Sequence, residues 1–183
     1  YAGVNPDNGD PLWYTNKEGS GRATTSDYSE AEFVALGNPS PEWIGGVTNT
    51  FDWKGFNLSI QFQGVFGNVI HNAAGSFMSA NGDWFDNQTR DQLDRWQQPG
   101  DITDVPRAIF ISGHGTQSRS SRFLSDGSYV RLKNLTFGYE FPKKVLDNIG
   151  VRRLRLYVIG QNLMTFTDYD GWDPEVTTDA FVN

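Results

Sequence analysis

The side chains that could carry chemistry in this chain are few and poorly spaced for it. His71 and His114 lie far apart, each in a stretch read as loop, and neither has neighbours at metal-ligand spacing. Gly113 to Thr116 reads G-H-G-T, without the Lys and the following helix of a phosphate loop. Ser76, Ser112 and Ser128 lack the strand–turn–helix setting that exposes a nucleophilic serine. Asp83, Asp86, Asp91 and Asp94 have the types of an acid/base or metal cluster, but a solvated loop and one face of a short helix account for them. Asn5, Asp7 and Asp10 begin like a calcium loop, yet the remaining ligands and the closing Glu are missing, so a tight turn is the reading. The sequons at Asn57, Asn87 and Asn134 are read as chance, two of them falling inside expected strands. No constellation supports an enzyme, and no metal or cofactor is expected. What remains is a set of aromatics in loop segments: Trp84, Phe85, Trp96 and Trp172. Indole and phenyl rings offer flat apolar surfaces on which the CH faces of sugars can stack, so these are the substrate-contact candidates; packing of the loops against one another is the plainer role.

The elements that would position such residues are β-strands. From Val47 the sequence runs V-T-N-T-F-D-W, a tight K-G, then F-N-L-S-I-Q-F-Q-G-V-F. After the turn Phe56, Leu58, Ile60, Phe62 and Phe66 share one face, and Asn57, Ser59, Gln61 and Gln63 the other, which only a period of two produces. The polar face carries amides and a hydroxyl with almost no charge, whereas a sheet facing bulk water is usually decorated with Lys and Glu. Hydrocarbon on one side and a hydrated lumen on the other would select this pattern. Strands are expected over about 43–53, 56–66, 129–141 and 152–167, with a shorter one near 12–15. In the last, Arg153 and Arg155 alternate with Leu154, Leu156 and Val158 and are expected to face the lumen, since facing lipid at mid-bilayer costs about 2–4 kcal/mol each. In the third, Val130 and Leu132 fall on one parity and Leu135, Phe137, Tyr139 and Phe141 on the other, which predicts a β-bulge near Lys133-Asn134.

Composition narrows the classes. The 183 residues suit one domain or a piece of a larger one, a net charge of −7 argues against a nucleic-acid partner, and the lack of cysteine excludes disulfide scaffolds and thiolate metal sites. No apolar run approaches the ~18 residues of a membrane helix, which leaves β-barrels open because alternation averages out to a polar composition. The opening Y-A-G-V-N-P-D-N-G-D-P has neither the basic start nor the apolar core of a signal peptide, so an exported protein is expected to have lost or to lack its true N-terminus here. The connections run short, very long, then short: Lys54-Gly55, residues 67–128 with a short helix expected over 88–97, and residues 143–150. So long a connection counts against a compact soluble domain. It suits an outer-membrane barrel, with its short periplasmic turns and long extracellular loops.

Four stretches carry a family resemblance: G-N-P-S-P-E-W-I-G-G-V-T-N-T-F-D-W-K-G-F-N-L-S from Gly37, R-W-Q-Q-P-G from Arg95, S-D-G-S-Y-V-R-L-K-N-L-T-F-G-Y from Ser125, and G-Q-N-L-M-T-F-T-D-Y-D-G-W-D-P-E from Gly160. With the opening A-G-V-N-P-D-N-G-D-P, the chain resembles the C-terminal barrel part of SusC/RagA-type, TonB-linked outer-membrane transporters. The resemblance implies an all-β fold of antiparallel strands in a transmembrane barrel of about 22 strands. It further implies import of oligosaccharides or peptides. The implied partners are the rest of the barrel and its plug, TonB acting through the N-terminal part, a SusD-like surface lipoprotein as lid, and outer-membrane lipid against Phe56, Leu58, Ile60 and Phe62. The plug, a TonB-contacting segment and the closing strand have no counterpart in this chain, and four or five strands cannot close a barrel. An open sheet in lipid would leave unpaired backbone groups at both edges. The alternative is a soluble extracellular carbohydrate-binding β-sandwich, for which about seven strands would be needed.

Overall fold

A computed structural model describes residues 1–15, 22–82, 87–110 and 120–175. The strands are β1 (Gly3–Val4), β2 (Pro11–Tyr14), β3 (Thr24–Thr25), β4 (Trp43–Trp53), β5 (Phe56–Phe66), β6 (Val69–His71), β7 (Leu124–Asp126), β8 (Tyr129–Glu140) and β9 (Arg155–Thr167). Two short helices, α1 (Ala73–Met78) and α2 (Lys143–Leu146), and single 3₁₀ turns complete the described elements. The chain forms two compact units, Tyr1–Gly37 with His71–Ser125 (the loop unit) and Asn38–Ile70 with Asp126–Asn183 (the sheet unit).

The sheet unit is built on four antiparallel strands in the order β4-β5-β8-β9. β4 and β5 form a hairpin closed by Lys54 (φ 47°) and Gly55 (φ 91°), the pair of positive φ values that a two-residue hairpin turn of matching twist requires. β8 ends at Glu140, two residues before Pro142, which has no N–H to continue the ladder, and the chain returns through α2, a 3₁₀ turn at Asp147–Ile149 and Gly150 at φ 68°. β9 starts at Arg155 rather than at 152. The preceding residues complete the connection: Val151 N–H is spent on the Leu146 carbonyl.

Pairing puts the side chains in rows. Trp53, Phe56, Tyr139 and Leu156 form the row nearest the short connections, followed by Phe51, Leu58, Phe137 and Val158, then Asn49, Ile60, Leu135 and Gly160. Between Asn134, opposite Gln61, and Leu132, opposite Phe62, the register shifts and Lys133 is the extra residue. That insertion turns the parity of β8 over, and β9 answers with two residues, Asn162 and Leu163, between Gln161 and Met164, so Val47, Phe62, Leu132 and Met164 continue the same face, and Val130, Phe166, Trp43 and Phe66 finish it. This face is open. Trp43 is 73% exposed, Val158 72% and Trp53 66%, and no second sheet covers them among the described residues. A sandwich would have sealed them.

The loop unit has the opposite economy. β1, β2 and β3 make a small antiparallel sheet around Trp13, 2% exposed, with the Tyr1 and Tyr28 rings edge-on at 5.3 and 5.1 Å. The helix expected over 88–97 is a 3₁₀ turn at Arg90–Asp94 only. It stops because Trp96 N–H donates to the Val105 carbonyl at 2.9 Å instead of closing another helical turn.

Candidate functional site

The face of the sheet opposite the apolar rows is the candidate site. Pairing brings Asn57, Ser59, Gln61 and Gln63 onto it together with Thr48, Thr50, Asp52, Arg131, Asn134, Thr136, Arg155 and Gln161. Amides and hydroxyls dominate its middle, where Ile159 is the apolar exception: Thr48, Gln61, Asn134 and Gln161 lie in one row, one from each strand. Its charges stand at the two ends. Near the short connections Arg155 donates to Asn57 Oδ1 (3.0 Å) and Asn57 Nδ2 donates to Asp52 (2.6 Å). Arg153 lies just outside β9 and pairs with Glu140 at 2.9 Å, so it sits at the rim rather than along the wall.

At the other end, a clamp forms that the sequence did not announce. Arg131, 4% exposed, projects from β8 and donates Nη2 to Asp173 (2.5 Å) and Nη1 to Glu175 (2.6 Å), while Lys133 reaches both Glu175 oxygens. The hydrogen bond from Arg131 is the largest of the effects that hold Asp173 below the usual carboxylate range. The clamp folds the D-G-W-D-P-E tail onto the strand that carries V-R-L-K-N, with Pro174 buried and Trp172 left 92% exposed. The signal that could have found it is a pair of bases two apart on one strand and a pair of acids two apart in the tail.

In the loop unit the Trp96 indole N–H donates to the Pro6 carbonyl (3.0 Å), and its ring lies where a Cβ on Gly9 would be, 2.4 Å from a ring carbon. Gly100 N–H donates to the same Pro6 carbonyl. The turn around it is an Asx turn, Asn5 Oδ1 accepting from Asp7 N–H, and Asp10 pairs with Arg107 at 2.8 Å. Asp91 is partly desolvated, which would raise it, but hydrogen bonds from Thr89, Ser79 and Gln92 together with the Arg122 charge bring it below its ordinary value. Ser76 donates to the Ala73 carbonyl of its own helix, and the Ser128 hydroxyl accepts from Gly67 N–H and bonds the Asp126 carboxylate, so both hydroxyls already have partners. No group of residues suited to a metal occurs among the described residues. Asp83, Trp84, Phe85, Asp86, Ser112, His114 and the rest of G-H-G-T lie outside the described residues.

The chain is similar to known proteins. The chain is 38% identical over 162 residues to the TonB-dependent receptor P3 of Formosa agariphila, a match covering 88% of this chain and 15% of that protein. Against the TonB-dependent receptor SusC of Bacteroides thetaiotaomicron it is 25% identical, over 100% of this chain and 17% of that one. The solved structure of the RagAB peptide transporter superposes with a TM-score of 0.78 at 30% identity, covering 95% of this chain and 19% of the solved one. No family model matches. The chain belongs to the TonB-dependent receptors of the SusC/RagA type. It spans less than a fifth of the length of the relatives it matches. Within this receptor stretch the family-like segments pair off physically. The opening N-P-D-N-G-D-P and R-W-Q-Q-P-G interlock through Pro6, Gly9 and Trp96, and S-Y-V-R-L-K-N and G-W-D-P-E are joined by the Arg131 clamp.

Proposed function

We propose that this chain is a run of wall strands, with associated loops, of an outer-membrane nutrient importer. The observation that carries the reading is the height of the open apolar face. Trp43 and Trp53 terminate β4; the ten steps between them at ~3.4 Å each span roughly 34 Å, which a barrel tilt of about 35–45° reduces to about 24–28 Å. The apolar band of an outer-membrane barrel is about 25 Å tall and edged by aromatics at both interfaces. Here Trp53, Phe56 and Tyr139 edge one end and Trp43, Phe66 and Phe166 the other, with Ile60, Leu135, Leu132 and Met164 between. In this reading Phe56, Leu58, Ile60 and Phe62 meet lipid, and Asn57, Ser59, Gln61, Gln63 and Arg155 line the lumen, with Arg153 at its rim.

The free edges of β4 and β9 pair with further strands of a barrel of about 22, since backbone groups left unpaired in hydrocarbon each cost several kcal/mol. The whole receptor imports oligosaccharides, or peptides as the RagAB transporter's name has it, using a plug, TonB and a SusD-like lid lipoprotein. Residues 67–128 lie on the extracellular side. Trp172 is the best-exposed aromatic among the described residues for cargo or lid; Trp84 and Phe85 are further candidates, and Trp96 can offer only what its packing on Gly9 leaves free. The role is binding and passage, without catalysis.

The test uses single cysteines in the full-length receptor, made possible locally by the absence of native cysteine in this stretch. Leu58→Cys is expected to resist a membrane-impermeant maleimide in intact outer membranes and to react after detergent extraction. Gln61→Cys is expected to react from the aqueous side in both. Equal reaction of the two in intact membranes would overturn the reading.

A further inference from the structure

The sheet unit is electrically lopsided along its strands. Around the short connections, residues 52–57 and 140–155 hold Lys54, Lys143, Lys144, Arg152, Arg153 and Arg155 against Asp52, Glu140 and Asp147. The far end holds Glu42, Asp126, Asp168, Asp170, Asp173 and Glu175, with Arg131 and Lys133 the bases that answer them. A chain of net charge −7 thus keeps a basic rim at one end of its apolar face.

Two of the three acids at the basic end are already engaged. Asp52 accepts from Asn57, on the polar face, and Glu140 is held by Arg153. Lys54, Lys143 and Lys144 have no carboxylate partner among the described residues. They adjoin an aromatic ribbon on the open side: Trp53 stacks on Phe56 (6.5 Å), Phe56 meets Tyr139 (4.6 Å), and Tyr139 meets Phe141 (5.0 Å). Lys54 Nζ lies 4.9 Å from the centre of the Trp53 ring. The connection also exposes Val145 (51%) and Ile149 (62%) while Leu146 anchors it, 2% exposed. Apolar rings and branched aliphatics beside unneutralised ammonium groups are the composition of a surface lying at a headgroup layer.

We propose that the Trp53–Lys54 turn and the Lys143–Lys144 connection form a belt that holds the phosphates of anionic glycerophospholipids, in the leaflet at the short-connection end. Each ammonium is attracted to a negatively charged membrane surface, and three acting together give selectivity for anionic over zwitterionic headgroups. The inference rests on the reading that the apolar face meets hydrocarbon, so the experiment separates the two.

The full-length receptor is reconstituted in nanodiscs of phosphatidylcholine with phosphatidylglycerol, and retained lipids are counted by native mass spectrometry. The native protein is expected to retain phosphatidylglycerol over phosphatidylcholine, and the variant K54Q/K143Q/K144Q to lose several-fold of that preference while keeping heat-dependent gel mobility. An unchanged preference in the variant, no preference in the native protein, or retention of lipopolysaccharide by these lysines in its place would overturn the belt. Quenching by acyl-chain-brominated lipid is read in parallel on Trp53, as the difference between the native protein and Trp53→Phe. Quenching without headgroup selectivity sinks the belt alone; no quenching sinks the lipid-facing reading beneath it.

Discussion

The loop unit and the sheet unit handle the same side chain in opposite ways. Trp13 is sealed to 2% exposure between two tyrosine rings, and Trp96 is seated on a glycine with its indole N–H satisfied. Trp43 and Trp53, in the sheet, stand 73% and 66% exposed with rows of Phe, Leu and Val between them. In water an apolar surface gains about 25 cal/mol for each Å² it buries, so a contiguous uncovered patch of this kind marks a contact with something other than water. One unit folds against itself; in the proposed reading the other folds against a different solvent. The lesson is that exposure is a statement about the surroundings: a single rule for where tryptophan belongs would misread half of this molecule.

The sharpest way to break the contrast is to remove the sealed ring. Trp13→Ala deletes the centre of the loop unit and is expected to cost about 3–5 kcal/mol there, in the usual range for emptying a buried aromatic site. Hydrogen exchange in the full-length receptor reads it: amides of β1, β2 and β3 should lose protection while those of β5 and β8 keep theirs. Loss of protection spread evenly over both units would mean that they are one cooperative body and that the contrast is superficial.

Next in size is a charge placed on either side of β5. Ile60 lies in the middle row of the apolar face, where an arginine facing lipid costs about 2–4 kcal/mol. Ile60→Arg is expected to lower the yield of heat-modifiable receptor in outer membranes, whereas Gln61→Arg, one residue on and on the opposite face, should assemble near the native level. Equal yields would remove the distinction between the faces.

How far the sequence carried these assignments follows from which interactions are periodic. The alternation from Phe56 to Phe66 is a local consequence of the pleat, so both faces of β5 were legible, and the parity change at Lys133 located the register shift without any coordinates. In the loop unit only local features were legible, the short strand near 12–15 and the tight turn at Asn5–Asp10; what holds the unit together was not. It joins Tyr1–Gly37 to His71–Ser125, segments far apart in sequence, through irregular backbone that has no period to detect. The Arg131 clamp was hidden for the same reason: it pairs residues 42 and 44 positions apart. The resemblance found the clamped segments, but as strings of letters; the ion pairs and the Trp96–Gly9 stacking are what give those letters a physical reason.

Gly9 tests that last point at a smaller scale. Its φ of 76° disfavours any side chain, and a Cβ there would meet Trp96 at 2.4 Å. Gly9→Ala is expected to cost about 1–3 kcal/mol, combining left-handed strain with displacement of the ring. The readout is protection at Trp96 and Gly100 N–H, with Gly45→Ala in the sheet as the reference, since a Cβ at Gly45 meets nothing within 4 Å and its φ is ordinary. A Gly9 variant as well protected as the Gly45 variant would show that Trp96 is free to move, and would return it to the residues available for cargo.

The smallest expected effect separates the two units by the kind of bond that holds each together. Asp173 is depressed chiefly by Arg131, and Asp91 by hydrogen bonds from hydroxyls and an amide, against the burial that opposes them. A carboxylate whose folded value lies below its unfolded value adds stability that is complete above the unfolded value, 3.8 for both, and is lost as pH falls through the lowered one. Both units should therefore loosen below about pH 4, with no change between pH 5 and 7. Salt distinguishes them. The Asp173 side chain is 47% exposed, so its ion pair is worth little to begin with and is screened at 1 M ionic strength, where the Debye length is about 3 Å. The hydroxyl and amide bonds to Asp91 carry no charge on the donor and escape most of that screening. Hydrogen exchange across pH 3 to 6, corrected for the intrinsic rate, should show the step at residues 171–175 vanish in high salt and the step at residues 79–82 and 87–91 persist. If both steps vanish together, charge holds the loop unit as well, and the division between a self-packed unit and a clamped sheet would have to be redrawn.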